Sequence, residues 1–124
     1  MEEAYVSFEV ARLLKEKGFN GECHKYYWGY FHGKEFLTEG TFNPEYDYPA
    51  PTLQMAMAWL REKHRILISI DAYKANHYEG YIDSFEIDIF KNASHIIVPR
   101  EIAIQTNYEE AVEAALEYVL KNLI

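Results

Sequence analysis

Cys23-His24-Lys25 is the first place where side-chain types suggest chemistry. A thiol beside an imidazole and an ammonium can ionise early and act as a nucleophile. Such catalysis also needs a base aimed at the sulfur and donors for an oxyanion, and no motif here supplies either. The more ordinary reading of the same residues is a quiet cysteine beside a loop. Asp71, Glu86 and Asp88 fall on the polar side of two alternating runs, where carboxylates could gather around a hard cation and support a small hydrolase or metal-dependent enzyme. A solvated sheet face is the alternative. The five histidines, His24, His32, His64, His77 and His95, are scattered. No H-x-x-x-H, C-x-x-C, G-x-S-x-G or phosphate-cradling glycine loop occurs. No cofactor is expected.

A denser signal is aromatic. Tyr26, Tyr27, Trp28, Tyr30 and Phe31 lie within six positions, and Tyr46 and Tyr48 follow in a proline-bearing stretch. Alternation puts Tyr26, Trp28 and Tyr30 on one face of a strand and Tyr27, Gly29 and Phe31 on the other. One buried face does not need that many rings. At least one set is therefore exposed, or covered by the Tyr46–Tyr48 loop, a second copy of the chain, or a partner. Tyr26, Trp28, Tyr30, Tyr46 and Tyr48 form the candidate binding surface.

The elements that position these residues can be read from caps and periodicity. Ser7 caps a helix with the apolar stripe Phe8, Val10, Ala11, Leu13 and Leu14, and Gly18 stands where a left-handed residue ends it. KYYWGYFHGKEFLTEGTF reads as a hairpin turning at His32-Gly33, and NPEYDYPAP as a loop. Thr52 caps a second helix whose stripe is Leu53, Ala56, Met57, Trp59 and Leu60. RILISIDAYK alternates, with Ile66, Ile68, Ile70 and Ala72 opposed to Leu67, Ser69, Asp71 and Tyr73. After ANHYEG comes a second alternating run carrying Phe85, Ile87 and Ile89. KNAS is a turn, and HIIVPREIAIQT is an edge or interrupted strand because Pro99 cannot donate to a ladder. Thr106 with Glu109, or Asn107 with Glu110, makes a capping box for a last helix striped by Val112, Leu116, Val119 and Leu123.

These elements predict an α+β fold over residues 1–124, roughly α-β-β-α-β-β-β-α, with an antiparallel sheet and helices mainly on one face. LLKEKG at Leu13–Gly18 echoes WLREKH at Trp59–His64, so α-β-β halves over 5–42 and 51–91 are one reading; chance similarity of amphipathic helices is the other. The second helix is not a DNA reader. It is followed by a strand rather than a partner helix, and its basic residues sit at its C-terminal end.

Net charge is −8 over 124 residues, spread along the chain with no basic stripe. Direct nucleic-acid binding, which draws on phosphate neutralisation, is therefore not expected. The single cysteine excludes an internal disulfide. MEEAYVSFEV lacks the order of a signal peptide, and no apolar run approaches the roughly 20 residues that span a bilayer. A cytoplasmic protein away from membranes is expected.

YVSFEVARLLKEKGF, YPAPTLQMAMAWLREKHRILISI and NYEEAVEAALEYVLKNLI together resemble a group of small uncharacterised proteins of Bacteroides-type gut bacteria and their phages and mobile elements. The resemblance rests on the A-P-T-x-x-x-A-x-x-W-L-R-E helix start and the Y-E-E-A-x-E-A-A-L helix, and covers about half the chain. It implies a cytoplasmic setting and an accessory role in a mobile element, and carries over no functional residue. The resulting expectation is a non-enzymatic binding or accessory protein, self-associating as a homodimer or meeting another protein through its aromatic hairpin. Two alternatives stand beside it: an acidic mimic of nucleic acid that inhibits a DNA-processing protein, and the small enzyme using Asp71, Glu86 and Asp88.

Overall fold

A computed structural model describes residues 4–28, 37–39, 47–73 and 84–124. Helix α1, Phe8–Glu16, begins where Ser7 accepts the Val10 N–H at 3.2 Å. It ends in a Schellman arrangement: the Phe19 N–H reaches the Leu14 carbonyl at 2.9 Å and the Gly18 N–H reaches Lys15 at 3.2 Å. Gly18 is left-handed (φ 89°), which a residue without a Cβ adopts at little cost.

Three short strands follow: β1 (Tyr26–Tyr27), β2 (Leu37–Thr38) and β3 (Tyr48–Pro49). They form a sheet in the order β2-β1-β3, antiparallel throughout. Finding β3 corrects the expectation of an unbroken loop over NPEYDYPAP. Pro49 fits because β3 is an edge, where a missing N–H leaves no ladder bond unmade. The Ala50 N–H then continues the pairing to the Lys25 carbonyl at 3.1 Å.

Helix α2, Leu53–His64, is capped by Thr52, whose hydroxyl accepts the Met55 N–H at 3.2 Å. Leu53, Ala56, Met57 and Leu60 are buried. Trp59 is half-buried, edge-on to Phe19 at 5.4 Å and to His64 at 4.8 Å. The helix thus clamps its apolar stripe inward, as a scaffold would. Arg65 leaves it in the left-handed region (φ 55°), one residue later than the echo with Gly18 would place the stop.

Strands β4 (Ile66–Tyr73) and β5 (Ser84–Lys91) pair antiparallel along their whole length, Ile68 opposite Ile89 and Ile70 opposite Ile87. Asn92 and Ala93 turn the chain with both φ angles positive (50° and 67°), the signature of a type I′ turn, into β6 (Ser94–Ile96). Of the edge or interrupted strand expected over HIIVPREIAIQT, the interrupted form is found: β6, a helical turn α3 (Arg100–Ala103) and β7 (Ile104–Gln105). Pro99 causes the break: its ring fixes φ near −53° and starts the turn, after which β7 rejoins β5.

Helix α4, Tyr108–Asn122, is capped by Asn107, whose side chain accepts the Glu110 N–H at 2.8 Å. The Glu110 carboxylate takes the Thr106 hydroxyl, also at 2.8 Å. Ala111, Val112, Ala115, Leu116, Val119 and Leu120 are fully buried, and α4 packs against α1, α2, β4 and β5. The α+β class and antiparallel pairing match the expectation, but the strands divide between two sheets. β3 fills the free edge of β1, so β4 and β5 build separately, with α2 and α4 packed on them and α1 lying against α4 and β3.

Candidate functional site

The aromatic hairpin is split by the pleat. Tyr27 points inward and is buried; its hydroxyl donates to the Val6 carbonyl at 2.6 Å. Phe8 meets Tyr27 and Tyr48 edge-on, at 5.6 and 5.2 Å between ring centroids, and the Lys15 ammonium lies 4.8 Å from the Tyr48 ring. Tyr27 and Tyr48 are thereby engaged with α1. On the opposite face of β1, Tyr26 is half-buried, and Trp28, just beyond the strand, is 43% exposed. Tyr30, Tyr46 and the His32-Gly33 turn lie outside the described residues. A two-residue turn there would set Tyr27 opposite Thr38; the observed register sets it opposite Leu37.

Pro49, paired with Tyr26, also walls a cleft of about 550 Å³ whose other sides are Asn20 to Lys25 and Met55. A neighbouring depression of about 310 Å³ shares His24 and Met55 and adds Tyr5, Thr52 and Gln54. Lys25 holds its ammonium 4.7 Å from the Tyr5 ring. Met55 was not a sequence candidate. Its signal was available, however: an apolar side chain on α2 off the stripe of Leu53, Ala56, Met57 and Leu60.

Cys23 lies in this cleft as the quiet cysteine of the second reading, not as an activated thiol. Burial pushes its thiol up to about 11, and its sulfur sits 3.6 Å from the Gly21 carbonyl. A thiol held that high is overwhelmingly protonated at neutral pH, which removes the nucleophile.

The carboxylates do share a face. Asp71 stands directly opposite Glu86, and Ser69 opposite Asp88. Asp88 meets His95 at 3.2 Å, and His95 lies 5.0 Å from the Phe90 ring. Among the described residues no three histidine, cysteine or carboxylate side chains converge to hold a metal ion, which corrects the cation site suggested for Asp71, Glu86 and Asp88. The row Ser69, Asp88, His95 is not a catalytic triad either. A triad needs the imidazole between hydroxyl and carboxylate, whereas here the carboxylate is in the middle and His95 is two strands from Ser69, roughly 10 Å.

One further carboxylate does structural work that the sequence did not suggest. Glu113 of α4 accepts the Ser7 N–H at 2.6 Å and the Ser7 hydroxyl at 2.9 Å. A capping box normally supplies that acceptor from the third residue of the same helix. In α1 that residue is Val10, and α4 provides the carboxylate instead. Burial raises the Glu113 carboxyl above its usual range, against the opposing pull of the Ser7 hydrogen bonds.

Among the described residues no helix is long and apolar enough to cross a membrane. No family model, curated protein or solved structure matches the chain.

Proposed function

We propose that the protein is a non-enzymatic, cytoplasmic binding protein that meets another protein through the outward face of β1 and the adjoining cleft. The observation that supports this is Trp28: 43% exposed at the end of a strand whose inner tyrosine is buried, with the exposed Met55 on the wall of the neighbouring cleft. Exposed aromatic and methionine side chains around a concavity are the usual anchors of protein contacts. Lys25, Glu22 and Asn20 supply a polar rim. An accessory role in a mobile element is the setting that the sequence resemblance implies.

The test is site-specific photo-crosslinking in the native cell. A benzophenone side chain at position 55 should capture one discrete partner, and Trp28→Ala should abolish the capture while the variant still folds by circular dichroism. Equal capture from position 93, on the distant Asn92-Ala93 turn, would refute the assignment.

The Asp71–Glu86 pair favours a second reading, the acidic mimic of nucleic acid. Like charges directly opposite on adjacent strands cost stability, and a basic partner would offset that cost. Asp71→Asn with Glu86→Gln should then stabilise the free protein and weaken inhibition of a DNA-processing enzyme; unchanged inhibition would exclude it.

A further inference from the structure

Among the described residues the lysine and arginine side chains fall into three groups. Arg12 and Lys121 hold carboxylates, while Lys15, Lys17 and Lys91 donate to the main-chain oxygens of Asp47, Ile124 and Leu123. Arg61, Lys63, Arg65 and Arg100 have no side-chain partner there but are exposed, so water satisfies them. Lys25 alone is half-buried with no carboxylate or carbonyl at its ammonium, which meets only the Tyr5 ring at 4.7 Å. A ring face attracts a cation but does not neutralise it. A charge that has given up part of its water gains more from an anion than an exposed one does.

Lys25 lies on the wall of the cleft of about 550 Å³, beside Pro49, Met55 and the uncharged Cys23. Tyr5, under its ammonium, lines the neighbouring depression, which shares His24 and Met55 with the cleft. The charge therefore stands between two hollows with largely apolar walls. The depression also opens on Thr52 at the start of α2, the positive end of that helix. Glu22 is on the same rim, but it is exposed and makes no ion pair with Lys25.

On the reading of this cleft as a protein contact, and resting on it, we propose that the partner's segment is apolar and singly acidic: a hydrophobic side chain packs between Pro49 and Met55, and an adjoining aspartate or glutamate pairs with Lys25. The carboxylate answers the one cation that the described chain leaves partly desolvated and unpaired. A run of acids is not the fit, because the chain carries −8 in all and Glu22 stands on the rim. Nor is a nucleic acid, whose successive phosphates would meet one lysine and the same repulsion.

Phage display of random linear peptides against the folded protein, followed by fluorescence anisotropy with each enriched peptide, tests it. The enriched peptides should share a hydrophobic residue beside a single aspartate or glutamate. Lys25→Glu should weaken their binding about tenfold or more, and Lys25→Gln by less. Changing the peptide's acid to lysine should restore binding to Lys25→Glu. Circular dichroism melts confirm that both variants fold. Peptides that lose binding on Met55→Asp but not on Lys25→Glu would overturn the acidic selection and leave the cleft standing as a contact. Peptides indifferent to both substitutions would overturn the selection and the contact together. Enriched sequences without an acid, no rescue by the peptide's lysine, or a library that yields no binder would each overturn the inference, while crosslinking from position 55 still decides the contact itself.

Discussion

Removing the Glu113 carboxylate tests the reasoning about the fold most directly, because one side chain ties the last helix to the start of the first. Glu113→Ala deletes two acceptors, at 2.6 and 2.9 Å, from the N–H and hydroxyl of Ser7. Each such bond is worth about 0.5–1.5 kcal/mol net, and water reaches the exposed Ser7 to replace part of it. The expected loss is about 1–2 kcal/mol, or roughly 4–8 °C in melting temperature for a domain of this size. Glu113→Gln keeps one acceptor and carries no buried charge, so it should be at least as stable as the wild type at pH 7. The two variants also separate through pH. Burial raises the folded carboxyl, so the unfolded chain releases this proton first, near 4.5, and the folded chain later. Its stabilising contribution is therefore whole below about 4.5 and is lost as pH rises through the folded value. Relative to Glu113→Gln, the wild type should be close at pH 4 and less stable at pH 7. Glu9 shifts the other way, lowered by its hydrogen bond to Arg12, but it is common to both proteins and cancels in the difference. Thermal melts of the three proteins from pH 4 to 7 decide it. An alanine variant within 0.3 kcal/mol of wild type (about 1 °C) would refute the tertiary cap, and so would a glutamine variant no better than alanine at pH 7.

Further outcomes can be stated for other sites. Ala93→Gly should stabilise the protein by about 1 kcal/mol, since alanine at φ 67° pays a steric cost that glycine does not; a lower denaturation midpoint would contradict the turn geometry. Tyr27→Phe strands the Val6 carbonyl and should cost about 1–3 kcal/mol in urea unfolding, with no change in the circular dichroism of the native state. Leu116→Ala, in the fully buried face of α4, should cost about 2–5 kcal/mol by the same measurement. Alkylation of Cys23 by iodoacetamide should be slow at pH 8, where about one thiol in a thousand is ionised, and should still be accelerating at pH 10; a plateau below pH 9 would show that burial does not govern the thiol.

The helices were legible because their signals are local. Ser7, Thr52 and Asn107 each cap the residue three positions on, and Gly18 ends α1 where its left-handed backbone is needed. The β4–β5 pair was legible because its apolar and polar positions alternate strictly enough to fix the facing residues. The misses share a cause: they depend on partners distant in sequence. Tyr48–Pro49 carries no strand signal of its own and becomes one only because β1 offers an edge. Arg100–Ala103 is the exception: it follows from its neighbour Pro99, and is simply too short to show periodicity. At the site, alternation separated Tyr27 from Tyr26 and Trp28 correctly, but could not say which side α1 would cover. For Cys23 the quiet reading holds: its charged neighbours in sequence matter less than its burial, which no short stretch encodes.

The position of α4 in chain order has a consequence for how the protein is made. Among the described residues every other helix leans on Tyr108–Asn122, and its six fully enclosed side chains complete the interior. During synthesis the ribosome therefore presents α1, α2 and the β4–β5 hairpin with their oily surfaces uncovered until α4 emerges after them. At about 5–20 residues per second that interval lasts several seconds. In it the nascent chain depends on chaperones, or on its own charge, to avoid sticking to its neighbours.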